Sequence, residues 1–349
     1  MSAAYCSIID RLRETHALSE EGYLSLMQCS DAAVLDYLRQ SADEVRRSVY
    51  GTTIYVRGLI EFTNYCKNDC LYCGIRRSNR CAERFRLEEA DILGCAEAGY
   101  RLGFRTFVLQ GGEDPYFDDK KVIDLVSALR KTYPDCAITL SIGEKPRESY
   151  QAYFDAGADR YLLRHETASA EHYGRLHPPE LSLRHRMECL EALKEIGYQV
   201  GCGFMVGSPY QTPQHIVQDL KFVEAFRPHM VGIGPFIPHK DTPFGSFEAG
   251  SAQETIKLLS IIRLMLPNVL LPATTALGTI AGDGREKGIL AGANVIMPNL
   301  SPPDARKKYM LYNDKLSAGE EAAEHLLELK RSMVAIGYEI VTDRGDYKG

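Results

Sequence analysis

Eight short runs rich in β-branched and apolar residues, each followed by an amphipathic stretch, constrain this chain more than any other feature. The runs lie at 54–63, 106–110, 137–142, 160–164, 199–206, 230–234, 270–275 and 294–297. Between them, residues 88–102, 120–131, 147–156, 183–196, 213–226, 252–266 and 284–291 repeat apolar side chains at helical spacing. Gly103, Gly157 and Gly197 stand just past such stretches, where a helix end favours glycine. Strands that alternate with helices pair in parallel, because each helical crossover returns the next strand in the same direction. Eight units over roughly 250 residues suit an α/β fold of the complete (β/α)8 TIM-barrel kind. The alternative is an open doubly wound sheet. It would carry a G-x-G-x-x-G fingerprint after its first strand, and none is there.

The flanks read differently. Ile8, Ile9 and Leu12, then Leu24, Leu26 and Met27, then Val34, Leu35 and Leu38 keep helical spacing, with Ser30 and Asp31 as a capping pair. Residues 1–50 are therefore expected to form an N-terminal helical extension, 51–300 the barrel, and 301–349 a C-terminal helical segment closing it. The chain of 349 residues is 45% hydrophobic and 25% charged, enough to bury a large core. No apolar run reaches the ~18 residues of a membrane span, and the start lacks the pattern of a signal peptide. Net charge is -6 with no basic stripe, so nucleic acid is not an expected partner. Seven of the ten cysteines are irregularly scattered, which points to a reducing compartment, the cytoplasm by default.

The other three cysteines are Cys66, Cys70 and Cys73, in C-x3-C-x2-C spacing directly after the first strand. In a barrel that loop opens on the C-terminal face, where chemistry resides. Thiolates this close can converge on one iron–sulfur cluster, since cysteine sulfur is a soft ligand that iron clusters favour. A cubane has four irons, so three cysteines leave one iron open to a small molecule. A structural zinc site is the alternative, with Cys81 near enough in sequence to complete it.

Other strand ends carry polar residues. Gln110, Gly111, Gly112 and Glu113 follow the second strand, where glycines allow close backbone approach and a carboxylate can pair with an ammonium; the alternative is an ordinary turn. Thr139 and Ser141 share a face of the third strand by period-two alternation. Arg164, His165 and Glu166 end the fourth and are costly to bury unless paired or liganded, an internal Arg164–Glu166 ion pair being the plain explanation. Arg184 or Arg186 on the next helix can receive a carboxylate. His239 reads better as a surface-loop histidine than as a base. Thr274, Thr275 and, one helical turn apart, Tyr309 and Tyr312 add donors for a small anionic or polar ligand.

The cysteine spacing, with Tyr72 before the third cysteine, resembles the signature of the radical S-adenosylmethionine (radical SAM) enzymes. In that family the amine and carboxylate of the cofactor chelate the open iron, and an electron from the cluster splits the sulfonium to give a 5′-deoxyadenosyl radical. Longer strings at 60–66 (IEFTNYC), 70–77 (CLYCGIRR), 109–116 (LQGGEDPY), 158–168 (ADRYLLRHETA), 231–239 (VGIGPFIPH), 272–276 (PATTA) and 293–299 (ANVIMPN) resemble one branch, the FeFe-hydrogenase maturases of the HydE type. The likeness runs from about residue 50 to 312.

The resemblance implies that Cys66, Cys70 and Cys73 hold one 4Fe-4S cluster. It implies that Gly112, Glu113, Glu166 and Arg186 contact S-adenosylmethionine, Arg186 on the carboxylate, with Ser141 and Tyr72 also at the cofactor. It places Arg57, Gln110, Thr139, Arg164, Thr274, Thr275, Met297, Tyr309 and Tyr312 around an internal cavity. The implied substrate is a cysteine-bound organometallic iron carbonyl–cyanide species from a partner maturase, processed toward the diiron subcluster of the hydrogenase by radical attack on sulfur. An electron donor is implied as well. Some relatives carry a second cluster on later cysteines; here the last is Cys202, and Ser317 stands near where those cysteines begin, so one cluster is expected. Biotin synthase would need extra barrel-strand cysteines, and Thr139 stands where one would be wanted. Methylornithine synthase also needs a small polar cavity and stays open as an alternative. A non-catalytic iron–sulfur carrier would have no use for Gly112, Glu113 and Arg186.

Overall fold

The computed structural model describes residues 2–316 and 323–349, so the reading placed on Ser317 lies outside the described residues. Three helices lead in: α1 (Ser2–Thr15), α2 (Glu20–Gln28) and α3 (Ala32–Tyr50). Asp31 caps α3 by accepting hydrogen bonds from the Ala33 and Val34 amides, donors that a first helical turn leaves unpaired. Fully buried Arg46 on α3 donates to the carbonyls of Gly51 (2.8 Å), Thr53 (2.6 Å) and Ala293 (3.2 Å). That guanidinium ties the helical extension to both ends of the strand array.

The alternating region begins with β1 (Thr53–Val56), β2 (Gly58–Thr63), α4 (Glu89–Arg101), β3 (Thr106–Gly111), α5 (Asp119–Thr132) and β4 (Ala137–Ser141). It continues with α6 (Arg147–Asp155), β5 (Arg160–Leu162), α7 (Ala170–Leu176), α8 (Leu183–Ile196), β6 (Gln199–Cys202) and β7 (Met205–Val206). Then come α9 (Pro213–Phe226), β8 (Met230–Val231), β9 (Gly234–Pro235), α10 (Ala252–Met265), α11 (Thr275–Ile280), α12 (Gly284–Leu290) and β10 (Val295–Ile296). After these stand α13 (Pro303–Lys308), α14 (Leu326–Ala335) and β11 (Glu339–Val341).

Six strands form one parallel sheet in the order β2-β3-β4-β5-β6-β8, and β1 pairs in parallel with β10 and β11. Parallel bridges Met230–Leu270, Pro272–Val295 and Leu59–Asn299 link these sheets in a TIM-barrel-like ring. Both faces of the sheet are covered, as parallel sheets require. The structure refines the expected strands. The first breaks at Arg57, and the run at 199–206 breaks at Gly203, whose φ of +155° interrupts the ladder. The seventh strand shrinks to single bridges: Pro272 has no amide to donate, and a helix already starts at Thr275. Helix α7 and strand β11 were not anticipated from the periodicity.

The chain's end seals the N-terminal mouth of the ring. Arg160, fully buried at the start of β5, donates to the Arg344 carbonyl (2.9 Å) and pairs with Asp346 (2.6 Å). Burial works against the Asp346 charge, yet Arg160 and Arg344 hold its carboxyl down at about 2. A folded value below the unfolded one stabilises the fold above about pH 4, and that contribution is lost as pH falls toward 2. Asp346→Asn is expected to lower stability by about 1–2 kcal/mol at pH 7, less than for a fully buried pair because Asp346 meets solvent. Thermal unfolding at stepped pH checks it: the gap between wild type and variant should narrow below about pH 4.

Candidate active site

With the lower mouth sealed, the ring opens at the C-terminal ends of its strands, where the cysteines lie between β2 and α4. This loop has almost no regular structure, so its backbone groups need other partners. Arg84 supplies many, donating to the carbonyls of Asn64 (2.5 Å), Ile75 (2.8 Å), Arg76 (2.6 Å) and Asn79 (3.1 Å). Asn64 donates to the Glu83 and Lys308 carbonyls, both at 2.8 Å, and Asp69 pairs with Arg76 at 2.7 Å. Cys66, Cys70 and Cys73 are free, half-buried thiols on this braced loop. Burial, then Cys66, pushes the Cys73 thiol up to about 12, and burial, then Cys73 and Cys66, pushes Cys70 well up. Thiols this reluctant to ionise become ligands only against a strongly positive centre, so loading one releases protons. The donor set fits a cluster with one iron left open. Cys81 is exposed and lines an outer cleft of about 580 Å³ with His239 and Lys308. Among the described residues no three His, Cys, Asp or Glu side chains are grouped as a single-metal site.

A continuous arc of contacts leads from the loop around the strand ends. An added Cβ on Gly112 would lie 2.1 Å from the Tyr65 carbonyl oxygen and 2.8 Å from the Cys66 Cβ, so only glycine fits against the cysteine loop. Next to it, Glu113 pairs with Lys67 at 3.2 Å and accepts the Glu144 amide at 3.1 Å. Gly143 makes room for that carboxylate, with φ +77° and no space for a Cβ. Glu144 binds Arg186 Nε at 2.5 Å, and Arg186 Nη1 donates to the Arg164 carbonyl at 2.9 Å. Burial alone would lower Arg186, but Tyr173, Glu144 and Glu113 hold it well above its ordinary value, firmly charged. Arg164 pairs with Glu166 at 3.1 Å, the internal pair weighed above.

Glu166 has a left-handed φ of +66°, unusual outside glycine and sustained here by its surroundings. Its amide donates to Gly203 (3.0 Å). Neighbouring His165 is fully buried, and its Nδ1 accepts the Gly203 amide at 3.3 Å. The proton therefore sits on Nε2, 3.3 Å from Asp219. Burial pulls His165 down to about 3, so the ring stays neutral and acts as a strut.

The inward-facing group lies beneath this arc. Arg57 is fully buried; its Nη1 reaches the Met230 sulfur at 2.9 Å, while among the described residues Nε and Nη2 have no partner. Thr139 Oγ1, Thr274 Oγ1 and Arg164 Nε are likewise buried without hydrogen-bond partners. Burial, then nearby Arg160, drives the Arg57 pKa well down. Tyr309 is buried beside Gln110 and Glu61, and burial with Glu61 pushes its phenol well up. Met297 packs against the cluster of Tyr55, Met230 and Val295. Ser141 pairs in register with Gln110, Thr275 opens α11, and Tyr312 is half-buried after α13.

Two sequence readings change. His239 is buried, not on the surface: its ring fills the space against Gly74, directly after Cys73. Arg184 is exposed and pairs with Glu188, leaving Arg186 as the buried arginine. Sequence reasoning missed Glu144, His177, Tyr173 and the fully buried Glu61, which pairs with Lys315 at 2.7 Å and Asn299 at 2.8 Å. Only Glu61 had a signal, a charge inside the apolar run from 59 to 62.

Residues 60–223 match the model of the radical SAM superfamily, so fold and site together define a radical SAM enzyme. That class works with a 4Fe-4S cluster and S-adenosylmethionine. The FeFe hydrogenase maturase subunit HydE of Thermotoga maritima is 43% identical over 314 residues, covering 90% of this chain and 89% of that one. 3-Methylornithine synthase of Methanosarcina acetivorans is 27% identical over 299 residues, 85% of this chain and 83% of that one. A crystal structure of methylornithine synthase shares the fold with a TM-score of 0.81 at 25% identity, covering 96% of this chain and 97% of that one. Within the superfamily, this chain belongs to the HydE family of hydrogenase maturases.

Proposed function

We propose that this chain uses S-adenosylmethionine at a single 4Fe-4S cluster to act on a cysteine-derived, sulfur-containing organometallic iron species in assembly of the diiron subcluster of an FeFe-hydrogenase. Cys66, Cys70 and Cys73 hold the cluster. When bound and reduced, it supplies the electron that converts the cofactor into a 5′-deoxyadenosyl radical. The chain's own residues bind and orient. Glu113, set beside the cysteine loop by Gly112, receives the methionyl ammonium, and charged Arg186 receives the carboxylate. Glu166, Ser141 and Tyr72 complete the cofactor's surroundings at neighbouring strand ends.

One observation carries the substrate class. Arg57, Thr139, Arg164 and Thr274 hold buried hydrogen-bonding atoms without partners, and unsatisfied groups of this kind are rare in folded proteins. Buried guanidinium and hydroxyl donors favour an anion with several acceptor atoms, as an iron-bound cyanide set offers. Gln110, Thr275, Met297, Tyr309 and Tyr312 form the rest of that lining. The partners are then a maturase that supplies the precursor and a one-electron donor, in a reducing compartment, in keeping with ten cysteines of which none forms a disulfide.

The test is anaerobic reconstitution with iron and sulfide, reduction, and assay of 5′-deoxyadenosine with and without the organometallic precursor. Wild type is expected to form product and to consume the precursor. Cys70→Ala is expected to fall to background, because two thiolates do not retain the cluster. Formation of methylornithine in place of consumption of the precursor would favour the second reading, which the shared fold with methylornithine synthase supports.

A further inference from the structure

Helix α7 runs under the cysteine loop, and the Leu71 amide donates to the Leu176 carbonyl at 2.9 Å. Three aromatic side chains join the two elements. The His177 Nδ1 and amide both face the Tyr173 carbonyl, at 3.0 and 3.1 Å, which puts the ring proton on Nδ1. Its Nε2 therefore accepts, and the Tyr72 hydroxyl donates to it at 3.1 Å. Burial holds the His177 ring down at about 3, so this polarity is permanent near neutral pH. The Tyr173 ring stacks on the same imidazole, centroids 3.9 Å apart and planes 23° from parallel. The Tyr72 hydroxyl is thus engaged. The Tyr173 ring is fixed, but its hydroxyl is not engaged: it is buried and, among the described residues, has no hydrogen-bond partner.

A phenol that loses water on folding and gains nothing destabilises the empty protein, so its orientation calls for a ligand atom. The ionisable groups acting on it are Arg186, then Glu144, Cys70 and Glu166, the site of the arc and the cysteines. Beside a charged guanidinium the ligand atom is best an anion. S-adenosylmethionine offers an ammonium, a sulfonium, two ribose hydroxyls and adenine, and its one anionic group is the carboxylate. We propose that Tyr173 is a further cofactor-binding residue, its hydroxyl donating a hydrogen bond to the methionyl carboxylate beside Arg186. This inference rests on the cofactor reading above. His177 is then a positioning residue that aligns both tyrosines, engaging one hydroxyl and leaving the other for the ligand.

The test measures binding to the reconstituted enzyme before reduction, so that the cofactor is not cleaved, using S-adenosylmethionine and 5′-methylthioadenosine, which lacks the carboxylate. Tyr173→Phe is expected to weaken S-adenosylmethionine about tenfold, the range for a hydrogen bond to a charged group, and to leave 5′-methylthioadenosine unchanged. The ligand-free variant should melt no lower than wild type, because the substitution removes an unpaired buried hydroxyl. Unchanged affinity for S-adenosylmethionine, or equal weakening of both ligands, overturns the proposal while the cofactor reading stands. Failure of the wild type to bind S-adenosylmethionine overturns both.

Discussion

Replacing Arg57 by methionine is expected to leave the protein at least as stable as the wild type while removing its hold on an anionic substrate. The guanidinium is fully buried, with one contact to the Met230 sulfur and no carboxylate partner. Charges in that state are net destabilising, and apolar replacements of similar volume are neutral or stabilising by about 1–4 kcal/mol. A substrate that pairs with this buried charge would lose about 2–5 kcal/mol of binding, a 30-fold to several-thousand-fold loss. Cleavage of S-adenosylmethionine without substrate should continue, since Arg57 lies beneath the arc assigned to the cofactor. Thermal unfolding and precursor consumption, measured side by side with 5′-deoxyadenosine formation, separate these effects. A melting temperature several degrees lower with consumption unchanged would show that Arg57 serves the fold and not the ligand.

The second large effect is expected at Gly112→Ala. The new Cβ would meet the Tyr65 carbonyl oxygen at 2.1 Å and the Cys66 Cβ at 2.8 Å, contacts that real Cβ atoms do not make. Overpacking of this kind destabilises by about 1–3 kcal/mol. Here the strain falls on the cysteine loop itself, so Cys66 must move and Glu113 with it. Iron retained after reconstitution should drop by more than half, and S-adenosylmethionine binding should be lost. Gly94→Ala is the control: it sits on the exposed side of α4 with nothing within 4 Å. Alanine there should be neutral or stabilise the helix by about 0.5–1 kcal/mol. Iron analysis on the two variants decides the matter; full iron content in Gly112→Ala would refute the tight fit.

Both predictions depend on residues whose importance came into view differently. Cys66, Cys70 and Cys73 were legible because a cluster needs several thiolates at short spacing. Gly112 and Glu113 were legible because they follow a strand that ends on the same rim. Arg57 entered only through resemblance, since an arginine beside a strand looks the same whether it ends in water or in the protein interior. Glu144 and Tyr173 gave no local signal. One is an ordinary acid in a turn and the other an aromatic on a short helix; Glu144 matters through Glu113 and Arg186, 31 and 42 positions away, and Tyr173 through Arg186 and Cys70, 13 and 103 positions away.

The sequence by itself determined the alternation of strands and helices, the place of the cysteine loop after the first strand, and the face on which polar strand ends gather. Period and spacing are local, so they survive without coordinates. The tertiary structure alone decided which polar groups are satisfied within the chain. Glu61 meets Lys315 and Arg160 meets Asp346, while Arg57 Nε and Nη2 and the Thr139 and Tyr173 hydroxyls are left without partners among the described residues. The physical reason is that burial gives a polar atom its energetic meaning, and burial is a property of the packed whole.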